Sequence, residues 1–218
     1  MKCIAVFASG SGTNLQALID DSQRRDCPFR IGLVVSNRKK AYALQRARDA
    51  GIPAEYIPYR KQDPLAYSRA VRGSLNAHAV AYIVLAGFLK FLPKPVLQQY
   101  DKRIINIHPA LLPAFGGKGA YGLRVHQAAR EYGVRISGVT VHFVNDQYDA
   151  GPVIAQVPVW VRQGDSAESL QQRVLEQEHY LLVKVVRYLC KGYIAVQGRQ
   201  VTVSRVDDPA DKSYFGLA

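Results

Sequence analysis

The sequence predicts an α/β fold, and three observations carry that expectation. From the first residues, short β-branched runs alternate with helix-patterned segments, the order that produces parallel strands with crossover helices on both faces. The run Ala81 to Leu85 is apolar on both faces, as a central strand covered on both sides must be. From Ser137 onward the pattern changes to alternation, which adds antiparallel strands in the C-terminal half. The whole is a single domain built on a Rossmann-like, mostly parallel sheet flanked by helices.

In chain order, the first strand is Cys3 to Ala8, followed by the loop Ser9-Gly10-Ser11-Gly12-Thr13-Asn14. Leu15, Leu18 and Ile19 then recur at helical spacing, and Ile31 to Val35 completes a β-α-β unit. A helix over about 41–50 stops at Gly51, a short strand lies near Tyr56, and a helix from Pro64 to about Asn76 opens with proline in its first turn. Ile104 to His108 is the next strand, ended by Pro109, which cannot donate to a ladder. Ser137 to Val144 and Val153 to Trp160 form an antiparallel pair. Asp165 with Glu168 reads as a capping box opening a long helix to about Cys190, stopped by Gly192. Two short strands, Tyr193 to Val196 and Val201 to Val206, close the fold.

Composition narrows the function classes. Hydrophobic residues are 48% and charged residues 21% of the 218, which excludes disorder, collagen and coiled coil as whole-chain descriptions. A net charge of +12 favours anionic ligands, but the basic residues are scattered doublets and one triplet, not the stripe of a nucleic-acid binder. The three cysteines, Cys3, Cys27 and Cys190, lie far apart with no partner spacing for zinc, so the expectation is no disulfide and no metal. The first apolar stretch is too short for a signal peptide, and the run Ala79 to Leu89 is too short to cross a bilayer. A soluble, cytoplasmic protein is expected.

A glycine-rich turn between a first strand and a first helix aims backbone N–H groups and the positive end of the helix dipole at one spot. The dinucleotide fingerprint would need a glycine where Leu15 stands and an acidic residue where Ser36-Asn37-Arg38 stands; the Walker motif would need Lys-Ser/Thr after Gly12. A monophosphate remains, against the plainer reading of a tight turn with Asn14 as helix cap. Asn106 and His108 are two apart on a strand and leave the same face, at the carboxyl end where open sheets bind ligands. Read alone, each is as well explained as a structural hydrogen-bonder, and Asp149 before Ala150-Gly151-Pro152 as a turn residue.

Three strings change the balance: Ser9 to Leu15, Asn106-Ile-His-Pro-Ala-Leu-Leu-Pro113, and His142-Phe-Val-Asn-Asp-Gln-Tyr-Asp-Ala-Gly-Pro152. In this order they resemble the folate-dependent formyltransferases, over about Met1 to Val196 and including Val84 to Phe88 and Gln177-Glu178-His179. The resemblance implies formyl transfer from the co-substrate 10-formyltetrahydrofolate to the primary amine of 5-phosphoribosylglycinamide in purine synthesis. It implies a formyltransferase domain over 1–206, with a phosphate-binding half of about 1–100, a folate and catalytic half of about 101–206, and a tail over 207–218.

Site residues follow from the same resemblance. Asn106, His108 and Asp149 would be catalytic: an amide donor to the oxyanion, a proton-moving imidazole, and a carboxylate that orients it. Gly10, Ser11, Gly12, Thr13 and Asn14 would hold the substrate phosphate, and Glu178 the ribose hydroxyls. The pteridine would lie against Leu85, Phe88, Phe91, Leu92, Leu97, Ile104 and Val144. Backbone of Leu89, Lys90 and the loop of Asn145, Asp146 and Asp149 would read its polar edge. His126, His142 and His179 are expected to be structural, and His78 an exposed helix residue. Partners are these two small molecules, with no nucleic acid or membrane, in a monomer or homodimer. Two relatives share the His-Pro-x-Leu-Leu-Pro string: a transfer-RNA formyltransferase with a further RNA-binding domain, and a deformylase with an N-terminal regulatory domain. The chain length speaks against both. A non-catalytic nucleotide-binding module would have no use for a proton-transfer group beside an oxyanion donor.

Overall fold

The computed structural model describes residues 1–217 and divides into two compact units, Met1–Asn106 and a second beginning at Ile107. Ala218, the last residue of the expected tail, lies outside the described residues.

The first unit alternates strand and helix: β1 Lys2–Phe7, α1 Thr13–Ser22, β2 Phe29–Ser36, α2 Tyr42–Asp49, β3 Ala54–Tyr56, α3 Pro64–Ala77, β4 Tyr82–Leu85, α4 Lys94–Gln99 and the first residues of β5 Ile104–His108. Its strands are parallel, β2 pairing with β3 and β1, β1 with β4, and β4 with β5. Ile4, Val6, Phe7, Leu33, Val34, Val35, Ile83 and Val84 are wholly buried, which explains their near-continuous apolar runs. The chain winds outward from β1 to β3 and then returns to β4 on the other flank of β1. The carboxyl ends of β1 and β4 are therefore a switch point, where a parallel sheet leaves a crevice for ligands.

The second unit contains α5 Leu123–Tyr132, the antiparallel pair β6 Ile136–Phe143 and β7 Val153–Trp160, α6 Ala167–Lys191, the hairpin β8 Ile194–Gln197 and β9 Gln200–Val203, and a 3₁₀ helix over Pro209–Phe215. The α/β class, the parallel strands and the added antiparallel strands are as the sequence predicts.

Three local expectations are corrected. The capping box of α6 is one residue further on, Ser166 and Ser169 satisfying each other's backbone N–H, while Asp165 instead pairs with the Arg173 guanidinium at 2.5 Å. Helix α1 is entered through Gly12 in the left-handed region (φ 73°) and begins at Thr13, so Asn14 stands inside its first turn and not at the cap position. His78 ends α3 half-buried, its Nδ1 2.9 Å from the Ser74 carbonyl, and is not an exposed helix residue. Helices α4 and α5 and the order in the tail are not evident from the sequence pattern. The tail is anchored: fully buried Asp211 accepts from Tyr180 (2.8 Å) and Tyr188 (2.6 Å) and pairs with Lys184 at 3.0 Å.

Candidate active site

In the first unit, the loop after β1 carries Gly10 to Asn14. Gly10 and Ser11 are exposed, Thr13 is half-buried, and Gly12 and Asn14 are buried. The Gly10 carbonyl accepts from Ala43 N at 3.1 Å and the Ser11 carbonyl from Arg46 Nε at 2.9 Å, so α2 grips the loop from behind. Ser9, almost wholly buried, ties this loop to the one after β4: its N–H donates to the Gly87 carbonyl at 3.0 Å, and its Oγ accepts from Leu89 N at 2.9 Å. The Leu89 N–H is thereby committed within the protein.

Leu85, Leu92 and Ile104 are buried and Phe88, Leu89, Phe91 and Leu97 half-buried; Phe88 stands edge-on to Phe7 with ring centres 5.3 Å apart, while Ile104 pairs with Ile83 at the opposite, amino end of the strands. Lys90 is exposed with its Nζ 5.1 Å over the Tyr59 ring. Asn106, half-buried, closes the first unit on β5, two residues before His108.

In the second unit, His108 is 3% exposed, and its Nε2 lies 2.9 Å from the Phe115 carbonyl. Its Nδ1 faces Asp149 Oδ2 at 3.5 Å. The other carboxylate oxygen faces His142 Nε2 at 3.7 Å, while His142 Nδ1 is 2.8 Å from the Phe143 carbonyl. Gly117 N donates to Asp149 Oδ2 at 2.9 Å. Each ring thus sets one nitrogen against a backbone carbonyl, which only accepts, and turns the other toward the carboxylate. Either ring, once doubly protonated, finds Asp149 as its counter-ion.

Burial pushes the His108 pKa down, against Asp149 and the Phe115 carbonyl, which raise it; the net shift is downward and the ring is neutral at pH 7. Burial pushes Asp149 up, but the His142 and His108 rings and the Gly117 N–H outweigh it and hold the carboxyl below its ordinary range. Asp149 itself has φ 50°, a left-handed conformation that aspartate tolerates better than most residues.

The segment after His108 is pinned by residues that sequence reasoning missed. Thr140 Oγ1 donates to the Ala110 carbonyl at 2.7 Å and accepts from Leu112 N at 3.0 Å, and Gln156 Nε2 donates to the Leu112 carbonyl at 3.1 Å. His142 was expected to be a structural hydrogen-bonder; its ring does bond the Phe143 carbonyl, and it also faces Asp149, which nothing in the sequence pattern announces. Glu178 lies on the buried side of α6, 9% exposed, which is not how a helix-surface carboxylate sits. Val144 and Asn145 are half-buried and Asp146 exposed.

A glycine loop at a parallel-sheet switch point in the first unit, and a half-buried carboxylate facing two imidazoles in the second, are features that an anion-binding, proton-moving protein would need. Residues 2–186 match the family model described as formyl transferase, and the chain belongs to that family. The phosphoribosylglycinamide formyltransferase, chloroplastic, of Arabidopsis thaliana is 44% identical over 196 residues, covering 88% of this chain and 67% of that protein. The chain covers 62% of the Vigna unguiculata protein of the same name. The phosphoribosylglycinamide formyltransferase of Haemophilus influenzae is 38% identical, with 90% of this chain and 91% of that one covered. The crystal structure of glycinamide ribonucleotide transformylase 1 from Symbiobacterium toebii superposes with a TM-score of 0.87 at 39% identity, over 94% of this chain and 95% of that chain.

Proposed function

We propose that the protein transfers the formyl group of 10-formyltetrahydrofolate to the primary amine of 5-phosphoribosylglycinamide, giving formylglycinamide ribonucleotide in de novo purine synthesis. The observation that carries this reading is the ionised, half-buried Asp149 set between His108 and His142 at 3.5 and 3.7 Å. Attack of an amine on a formyl carbon creates an oxyanion, releases a proton from the amine and needs a proton at the departing folate nitrogen.

Asn106 donates its amide N–H to the oxyanion. His108, neutral at pH 7, donates to the same oxygen or takes up the amine's proton, and Asp149 stabilises the imidazolium so formed. Both ring nitrogens of His108 are engaged, Nε2 by the Phe115 carbonyl and Nδ1 by Asp149. Exchange of that carbonyl for the formyl oxygen is the smaller rearrangement, because it lies in the glycine-rich segment 114–122.

Gly10, Ser11, Gly12, Thr13 and Asn14 hold the phosphate, and Glu178 the ribose hydroxyls. The folate co-substrate uses Leu85, Phe88, Phe91, Leu92, Leu97 and Ile104, with the Leu89 carbonyl and Lys90 backbone, from the first unit. From the second it uses Val144, Asn145, Asp146 and Asp149. The three cysteines are free and buried, which suits a reducing, cytoplasmic setting, and among the described residues no helix is long and apolar enough to cross a membrane.

The test is turnover of 5-phosphoribosylglycinamide and 10-formyltetrahydrofolate, followed by the folate absorbance change. Wild type is expected to turn over and Asp149→Asn to lose about 10²–10⁴ in kcat, the usual contribution of a positioned acid–base group. Absence of wild-type turnover would sink the reading; an Asn variant as fast as wild type would remove Asp149 from the chemistry.

A further inference from the structure

The backbone of the glycine loop is oriented by hydrogen bonds on its far side. The Gly10 carbonyl is held by Ala43 N at 3.1 Å and the Ser11 carbonyl by Arg46 Nε at 2.9 Å, both from α2. In a trans peptide the C=O and the following N–H point in opposite directions. Two carbonyls pulled back onto α2 therefore turn the N–H groups of Ser11 and Gly12 away from it. The Gly12 carbonyl accepts from Gln16 N at 2.9 Å inside α1, which turns the Thr13 N–H outward from the helix start. Three successive N–H groups are thus set in the manner of an anion-binding nest.

The grip of α2 is close-fitting. A Cβ on Gly12 would fall 2.8 Å from both the Cα and the Cβ of Ala43, so the loop packs directly on the helix at that point. Arg46 is itself fixed, its Nη1 2.9 Å from Gln16 Oε1 and its guanidinium 4.8 Å over the Tyr42 ring. Ala43 contributes a backbone N–H that any residue except proline would supply. Arg46 is the only side chain among the described contacts that holds a loop carbonyl, and no assigned role covers it.

We propose that Arg46 is the positioning residue of the phosphate cradle: by holding the Ser11 carbonyl it presets the Gly12 N–H for the substrate's phosphate without touching the reacting atoms. This rests on the proposed binding of a phosphorylated substrate at Gly10 to Asn14. The operative feature is the donor at Nε, not the charge, and side-chain chemistry separates the two. In glutamine, Nε2 stands the same number of bonds from Cα as arginine Nε and carries N–H without charge. In lysine that position is a methylene, and the charge is kept one atom further out.

The experiment measures inorganic phosphate binding by calorimetry, together with the two KM values and kcat, for wild type, Arg46→Gln, Arg46→Lys and Arg46→Ala. Wild type and the Gln variant are expected to bind phosphate within about threefold of each other. The Lys and Ala variants are expected to lose roughly tenfold, the upper range of one net hydrogen bond. The same order appears in KM for the phosphorylated amine, with kcat and KM for the folate within about twofold. Thermal melts of all four report whether the fold is kept, and a variant that fails to melt cooperatively is replaced by Gln16→Ala, which loosens Arg46 without touching the loop carbonyl.

Lys binding phosphate as wild type while Gln does not would make charge the operative feature and overturn the proposal, as would Ala binding unchanged. Phosphate binding is read without turnover. A wild type that binds phosphate in the expected order but does not formylate keeps Arg46's role and rejects the reaction; a wild type that binds no phosphate rejects the cradle and Arg46's part in it.

Discussion

At the scale of single residues, the chemistry of the site is decided by which atom of each imidazole is already spent. His108 and His142 each set one ring nitrogen against a backbone carbonyl, which leaves the other to face Asp149. His142 is therefore a partner of the carboxylate, and the first group that lowers the Asp149 pKa after burial has raised it. In His142→Asn, the asparagine Nδ2 can keep the bond to the Phe143 carbonyl while nothing replaces Nε2. Asp149 then rises toward its ordinary range, and activity that needs the carboxylate ionised is lost at higher pH. The acid limb of kcat/KM is expected to move upward in pH; a limb that stays put would show that His142 does not act on Asp149. Single residues were also where the sequence was least legible. Asn106, His108 and Asp149 stood out through their strings, but nothing in composition or spacing says that residue 142 turns toward residue 149.

At the scale of elements, the loop that carries Asp149 is set by an irregularity in β6 and β7. The register shifts between Val141 and His142, so that Val141 faces Ala155 but His142 faces Val153. Such a bulge re-aims the side chain beside it, here His142. The return of the chain is equally tight: Phe143 N donates to the Pro152 carbonyl at 2.8 Å, and a Cβ on Gly151 would fall 1.8 Å from the Phe143 carbonyl oxygen. A carbonyl in a strand cannot swing aside as a side-chain tip can. Gly151→Ala is accordingly expected to cost about 1–3 kcal/mol in urea unfolding, toward the upper end, and to lower kcat by displacing Asp149. Gly73, in the interior of α3 with nothing within 4 Å of a Cβ, is the control, and alanine there should stabilise by up to about 1 kcal/mol. Equal effects at the two positions would refute the steric account. The strands were legible because burial on both faces writes a continuous apolar run. Helix α5 was passed over because it follows the glycine-rich 114–122 segment and carries only three buried positions, and the bulge because pairing partners are not written in a local pattern.

At the scale of the whole molecule, the acid side of the stability curve separates into two windows. His126 on α5 is 1% exposed, its Nδ1 has no hydrogen-bond partner among the described residues, and burial, with a smaller push from His108, takes its pKa down to about 4. Above the unfolded value near 6.5 the ring is neutral in both states and the native protein has its full stability. As pH falls below that, the unfolded chain takes up a proton that the native state refuses, and stability drains away until about pH 4. The loss is roughly 3 kcal/mol from this residue, and the downward shift of His108 adds in the same direction. Asp149, Asp165 and Asp211 are all held below the ordinary carboxylate range, so their stabilisation is intact through this window and is lost only as pH falls further. His126→Phe keeps a ring of similar volume and removes the titration. Urea unfolding of wild type and this variant at pH 7.5 and 4.5 should show wild type losing more stability between the two, while the general self-repulsion of a chain that starts at +12 is common to both. Parallel losses in the two proteins would mean that His126 is protonated in the native state and that its burial does not govern this window.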